Sequence, residues 1–202
     1  MPKIKLGIYG GTFSPPHLGH VNAARSFVKG AMLDRLLIMP TFLPPHKLQV
    51  DGASAEDRLA MCKIAFADVP NTEISDFEIK NGGKSYTYLT LQEFSKQDVD
   101  LYFLCGTDMI LTMGEWKHPE VIFKHATVCF VRRESDANND RLIEEKIKFY
   151  RDAYSAKIIA LEHDAYPASS TDIRAAISDR RSLAAILPSG VCDYIVSRGL
   201  YK

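Results

Sequence analysis

Neither sign of charge is in excess in this sequence: 25 Lys and Arg stand against 25 Asp and Glu, so the formal net charge is zero. That balance leaves no basic field to draw in a nucleic acid or an anionic lipid surface, and an anionic ligand has to be held by charge gathered locally. Cysteine is scarce and scattered. Cys62, Cys105, Cys129 and Cys192 form no C-x-x-C pair, and three of them sit in apolar stretches. This argues against a disulfide framework and for buried reduced thiols. No apolar run approaches the ~18 residues of a membrane span. The start "MPKIKLGIYGG" lacks a signal-peptide hydrophobic region. The chain therefore reads as cytoplasmic, with no nucleic-acid or membrane partner, and it is as compatible with a homo-oligomer as with a monomer.

What is present is regular. A chain of 202 residues fits one domain spanning 1–202, large enough to bury a core without staples. Strand-like runs recur at 3–10, 35–40, 72–79, 100–106, 127–133 and 156–163, mostly continuous rather than alternating. Continuous runs mark strands covered on both faces. Residues 72–79 alternate, as an edge strand does. Helical patterns fill the gaps: 17–32, a segment opened by Ser54 and Asp57 in capping-box spacing, 86–97, 140–154, and a C-terminal helical part over about 169–202. This alternation predicts an α/β fold, Rossmann-like and doubly wound, with a mainly parallel sheet and helices on both faces. The least regular stretches, 41–53 and 80–86, read as long loops.

In such a sheet ligands bind beyond the carboxyl ends of the strands, so the residues after the first, second, fourth and sixth runs should converge. After the first comes "GGTFSPPHLGH", with Gly10, Gly11, Thr12 and Phe13 before His17 and His20. Glycine lets backbone N–H groups approach a phosphate, and two histidines three apart at a helix start share a face. The spacing is neither G-x-G-x-x-G nor a Walker A loop. After the second run comes "PTFLPPHK", whose Lys47 is a point charge able to reach a polyphosphate. After the fourth, Gly106 and Asp108 precede Trp116, the only tryptophan. After the sixth, Ser169, Ser170 and Thr171 open a helix with Arg174 one turn in, a second anion site. Each element alone has a plainer reading as a turn, a cap or core filling. Together, four phosphate-handling segments at four strand ends form a strong joint signal.

The run "GGTFSPPHLGH" resembles the G-G-T-F-D-P-x-H-x-G-H signature of the H-x-G-H nucleotidyltransferase superfamily, and within it the chain is most similar to the bacterial nicotinate-nucleotide adenylyltransferase family. The resemblance covers nearly the whole length. "PTFLPPHK" resembles the family's lysine loop, "SSTDIR" its C-terminal ATP motif, and "GGKSYTYLTL" its G-x-S-Y-T-x-x-T-L acceptor element. Two positions depart from the pattern. Ser14 stands where the signature has Asp, and Glu134 and Ser135 replace the Pro-Gly that follows the arginine matched by Arg133.

The resemblance implies transfer of AMP from ATP to nicotinate mononucleotide, giving deamido-NAD (nicotinate adenine dinucleotide) and pyrophosphate. It implies that His17, His20, Lys47 and Arg174 are catalytic, and that ATP also meets Gly10, Gly11, Thr12, Phe13, Ser169, Ser170 and Thr171. The nicotinate nucleotide would meet Thr87, Gly106, Asp108, Trp116 and Arg133. Direct in-line attack needs no covalent intermediate. Mg²⁺ would be bound through the ATP phosphates, with no metal-ligating residues of the chain. An enzyme preferring nicotinamide mononucleotide, or a nucleotide sensor without chemistry, are the competing readings.

Overall fold

The structure, a computed structural model, describes residues 2–46, 48–50, 52–132, 137–163, 166, 168–177, 183 and 185–201. The expected site residues Lys47 and Arg133 lie outside the described residues.

The apolar runs become β1 (Ile4–Gly11), β2 (Arg35–Pro40), β3 (Thr72–Ile74), β4 (Val99–Gly106), β5 (Ala126–Val131) and β6 (Ile158–Leu161). They form one six-stranded sheet in the order β3-β2-β1-β4-β5-β6, and every pairing is parallel. The sheet is thus parallel throughout, where the sequence predicts a mainly parallel one. Leu6 of β1 lies opposite Arg35 on one side and Leu101 on the other.

Between the strands lie α1 (Leu18–Gly30), α2 (Ala55–Ala65), α3 (Phe77–Asn81), α4 (Thr87–Phe94), α5 (Thr107–Thr112), α6 (Pro119–His125), α7 (Ala137–Tyr154), α8 (Ser170–Ala175) and α9 (Val191–Arg198). The two-residue period of a strand sends neighbouring side chains to opposite faces. Leu36 and Ile38 accordingly pack with Phe27 of α1, Met61 of α2 and Ile195 of α9. Leu37 and Met39 pack with Ile110 of α5, Ile122 of α6 and Tyr150 of α7. Both faces of the sheet are therefore covered, which is why its strands read as unbroken apolar runs. Ser54 caps α2 as its spacing predicts, its Oγ accepting the Asp57 N–H at 3.0 Å.

One expectation is corrected. The run 72–79 is an edge strand only over Thr72–Ile74. The Ser75 N–H still donates to the Ile38 carbonyl at 2.9 Å, but its Oγ accepts the Phe77 N–H at 3.3 Å, and this turns the chain into α3. The alternation continues past Ile74 in the sequence, while the ladder does not. Toward the end of the chain, helix is present over Ser170–Ala175, and residues 178–182 of the expected longer helix lie outside the described set.

Among the described residues no helix is long and apolar enough to cross a membrane. The four cysteines are free thiols, three of them buried. Burial pushes the Cys129 thiol up to about 12, so it is inert at neutral pH. What the topology supplies for function is the reversal of strand order between β1 and β4. The connections leaving these two neighbours run in opposite directions and open a crevice at their carboxyl ends.

Candidate active site

The crevice holds a cavity of about 1510 Å³, lined from the ends of β1, β2, β4, β5 and β6 and from the start of α4. This is larger than the roughly 300–1,000 Å³ of a typical small-molecule site. The convergence predicted from the sequence is therefore present: Gly10, Gly11, Thr12, Phe13, His17 and His20 face Ser169, Ser170, Thr171 and Arg174 across it. Gly106, Asp108, Trp116 and Thr87 line the same cavity.

The histidine pair owes its geometry to local sequence. His17 is the N-cap of α1, in extended backbone, and its carbonyl accepts the His20 N–H at 2.9 Å. The His17 N–H in turn donates to His20 Nδ1 at 3.2 Å, so a neutral His20 carries its ring proton on Nε2. The two rings lie 3.7 Å apart between centroids, tilted by 30°. A Cβ on Gly19 would stand 3.0 Å from the His17 ring, so a side chain there would require that ring to give by a few tenths of an ångström. Phe13, only 2% exposed and at φ 47°, sets its ring edge-on to His20 at 5.1 Å. Its aromatic body backs the catalytic candidate from the core side.

Arg174 projects from α8 and is held by Nη1 donating to the Ser14 carbonyl at 2.7 Å and Nη2 donating to Thr171 Oγ1 at 3.3 Å. The hydroxyls expected to face phosphate are occupied within the protein. Ser169 caps α8 by accepting the Asp172 N–H at 3.1 Å, and Ser170 Oγ donates to the Pro15 carbonyl at 2.9 Å. What α8 offers an anion is its first-turn N–H groups and the guanidinium. Ser14 itself is 4% exposed, with its Oγ 3.1 Å from the Tyr201 hydroxyl. The residue that departs from the superfamily signature is thus a buried tie between chain segments.

Along the same cavity, Asp108 stands exposed in the first turn of α5, a helix with no side-chain cap bond. Trp116 is half-buried, edge-on to Phe103 at 6.4 Å, so it both fills core and presents ring surface to the cavity. Thr87 is the first residue of α4, where backbone N–H groups lack helical partners. Lys117 lies 4.7 Å above the Tyr86 ring, fixing the turn before α4.

Three residues here carry no sequence signal. Arg58 is 1% exposed, with Nη1 donating to the Thr12 carbonyl at 2.8 Å and Nη2 to the Phe42 carbonyl at 3.0 Å. Its place at the end of the first turn of an ordinary capped helix gives no hint of this. His163 lines the cavity beside Ser26. Glu78 is 8% exposed in the cavity wall and accepts the Thr90 hydroxyl at 2.7 Å.

Burial raises the Glu78 carboxyl above the ordinary 4.5, and hydrogen bonds from Thr90 and Ser85 only partly offset it. Between the two values the folded chain holds a proton that the unfolded chain has released. Stability from this site is therefore complete below the unfolded value and declines as pH rises through the folded one. Glu78→Gln removes that decline: Tm should match the parent at acidic pH and exceed it at pH 8. A Tm difference that does not vary with pH would show the carboxyl to be ionised in the fold.

Among the described residues, no three His, Cys, Asp or Glu side chains gather into a group able to hold a metal ion. Two histidines at a helix start and an arginine over a second helix start flank the crevice of a parallel sheet, and comparison with known proteins gives the class of the chain as a nucleotidyltransferase. Residues 8–176 match the model of the cytidylyltransferase-like family. A protein of Caldicellulosiruptor saccharolyticus named as a probable nicotinate-nucleotide adenylyltransferase is 37% identical, covering 98% of this chain and 100% of that one. One of Clostridium kluyveri with the same name is 34% identical over 98% and 100%. The structure of Plasmodium falciparum nicotinic acid mononucleotide adenylyltransferase complexed with NaAD superposes with a TM-score of 0.76 at 18% identity, covering 98% and 97%. The chain belongs to the nicotinate-nucleotide adenylyltransferase family.

Proposed function

We propose that this chain transfers AMP from ATP to nicotinate mononucleotide, releasing pyrophosphate and nicotinate adenine dinucleotide. The observation that carries this reading is one cavity lined both by the His17–His20 pair and Arg174 and by Thr87, Asp108 and Trp116. ATP would lie with its phosphates along Gly10–Thr12 and the first turn of α8. The acceptor would stack its pyridine ring on Trp116 and direct its carboxylate to the free N–H groups that open α4. Asp108, which lines the cavity from the first turn of α5, would accept from ribose hydroxyls.

The acceptor phosphate is ionised at neutral pH and attacks the α-phosphorus in line, so no side chain has to remove a proton. His20 donates through Nε2–H to the α-phosphate as charge builds there, with His17 stacked beside it. Arg174 neutralises the departing pyrophosphate, and Lys47, which follows the β2 run in the sequence, is assigned the same role. The donor set fits Mg²⁺ carried in on the triphosphate, held by phosphate oxygens and water rather than by a protein cage. When bound, that ion would disperse phosphate charge.

The test is pyrophosphate release with ATP and each of the two mononucleotides. With a neutral donor set at α4, kcat/KM should favour the nicotinate form by at least about tenfold, because an amide leaves those N–H groups poorly matched. Equal values would remove the carboxylate role of the α4 start. ATP binding without pyrophosphate release would leave a nucleotide sensor.

A further inference from the structure

Tyr201 follows α9 and is remote in sequence from the loop after β1, yet it is docked beneath that loop. The ring is 9% exposed, and its backbone N–H donates to the Gly52 carbonyl at 3.2 Å. Gly52 is at φ 80°, and a Cβ there would fall 2.3 Å from the tyrosine Cδ1, so position 52 admits this ring only as glycine. The hydroxyl lies 3.1 Å from Ser14 Oγ. Burial pushes the phenol up to about 12, which keeps the hydroxyl protonated and able to share a hydrogen with Ser14 at any working pH.

Ser14 is engaged at both ends. Its side chain meets Tyr201, and its carbonyl receives Arg174 Nη1 at 2.7 Å. A continuous chain of contacts therefore runs from Tyr201 through Ser14 to the guanidinium on the ATP side of the cavity. Arginine forks onto phosphate only when its plane is held, and a carbonyl that shifts takes the plane with it. We infer that Tyr201 is a positioning residue for ATP: through the Ser14 side chain it fixes the carbonyl that orients Arg174. In this chain a serine–tyrosine tie occupies the place of the acidic residue in the superfamily signature.

This inference rests on the assignment of Arg174 to the ATP phosphates, and its test is a binding measurement that does not need turnover. Titration calorimetry with ATP, and separately with nicotinate mononucleotide, is run on the parent, Tyr201→Phe, Ser14→Ala and the double variant. Tyr201→Phe keeps the ring and its packing, so the fold is retained and only the hydroxyl is lost. Loss of one buried hydroxyl contact should weaken ATP by about fivefold in each single variant. The double variant should be no worse than either single, since the two changes break one link. The acceptor Kd should not move.

A lowered Tm with both affinities intact would mark a structural pin and overturn the inference. So would losses that multiply in the double variant, or equal weakening of ATP and acceptor. The proposed reaction fails separately: a parent chain that binds ATP and acceptor but releases no pyrophosphate refutes the chemistry, while the Tyr201→Phe comparison is still read on ATP affinity.

Discussion

His20→Ala is expected to lower kcat about 100-fold while leaving Tm within a few degrees of the parent. Removing one preorganised donor from a site of developing negative charge typically costs a factor of about 10²–10³. Under the proposed mechanism this loss falls in kcat rather than in KM. His20 Nδ1 accepts the His17 N–H, which leaves the ring proton of a neutral His20 on Nε2. A donor from Nε2 to the α-phosphate would strengthen as the fifth oxygen approaches phosphorus and would be worth more in the transition state than in the bound substrate. The structural cost is small, because α1 retains its N-cap backbone geometry and its carbonyl contacts. Steady-state initial rates and a thermal melt on the same preparation check both halves. A kcat within a few-fold of the parent would reduce the histidine pair to a helix cap.

Arg58→Met should produce the largest loss of stability, about 3 kcal/mol, or a fall in Tm of roughly 8 °C for a chain this size. The guanidinium fork joins the Thr12 carbonyl of the loop after β1 to the Phe42 carbonyl of the loop after β2, at 2.8 Å and 3.0 Å. Methionine fills much of the volume but leaves two carbonyls without their donor in a site that is 1% exposed. Lysine keeps the charge and recovers less than half of the loss, since one ammonium cannot span the same two acceptors in fork geometry. Urea titration with an unchanged m-value would measure the effect cleanly. A midpoint equal to the parent's would show that water or neighbouring groups take over both carbonyls.

Much of the fold was readable because its determinants are local. Continuous apolar runs announced strands covered on both faces, and Ser54 with Asp57 announced α2. The cavity wall after β1 was readable for a related reason. Gly10, Gly11, His17 and His20 lie within one short segment, and the chemistry of that segment restricts its use. The end of β3 was not readable, because a hydrogen bond from Phe77 N–H to the Ser75 side chain overrides an alternation that continues through Ile79. Ser169 and Ser170 were visible as hydroxyls at a helix start; the bond of Ser169 with Asp172 is a local cap, while that of Ser170 with Pro15 depends on the chain returning to the β1 loop. Arg58, Glu78 and Tyr201 owe their roles to partners distant in sequence or to burial. Nothing in the residues around them differs from an ordinary helix or turn.

The reversal of strand order between β1 and β4 bears on how the chain reaches its working state. β1 pairs with β2, a near neighbour in sequence, and with β4, whose Val99 lies opposite Ile4. A chain emerging from the ribosome can therefore complete the β1–β2–β3 half long before β4 exists. The histidine pair belongs to that early half, and the α8 arginine to the late one. With the proposed ATP contacts, the nucleotide would bridge them only after the late half has docked and would thereby report complete folding. Its presence should deepen the final free-energy minimum by RT ln(1 + [ATP]/Kd) without accelerating the steps before β4 adds to the sheet.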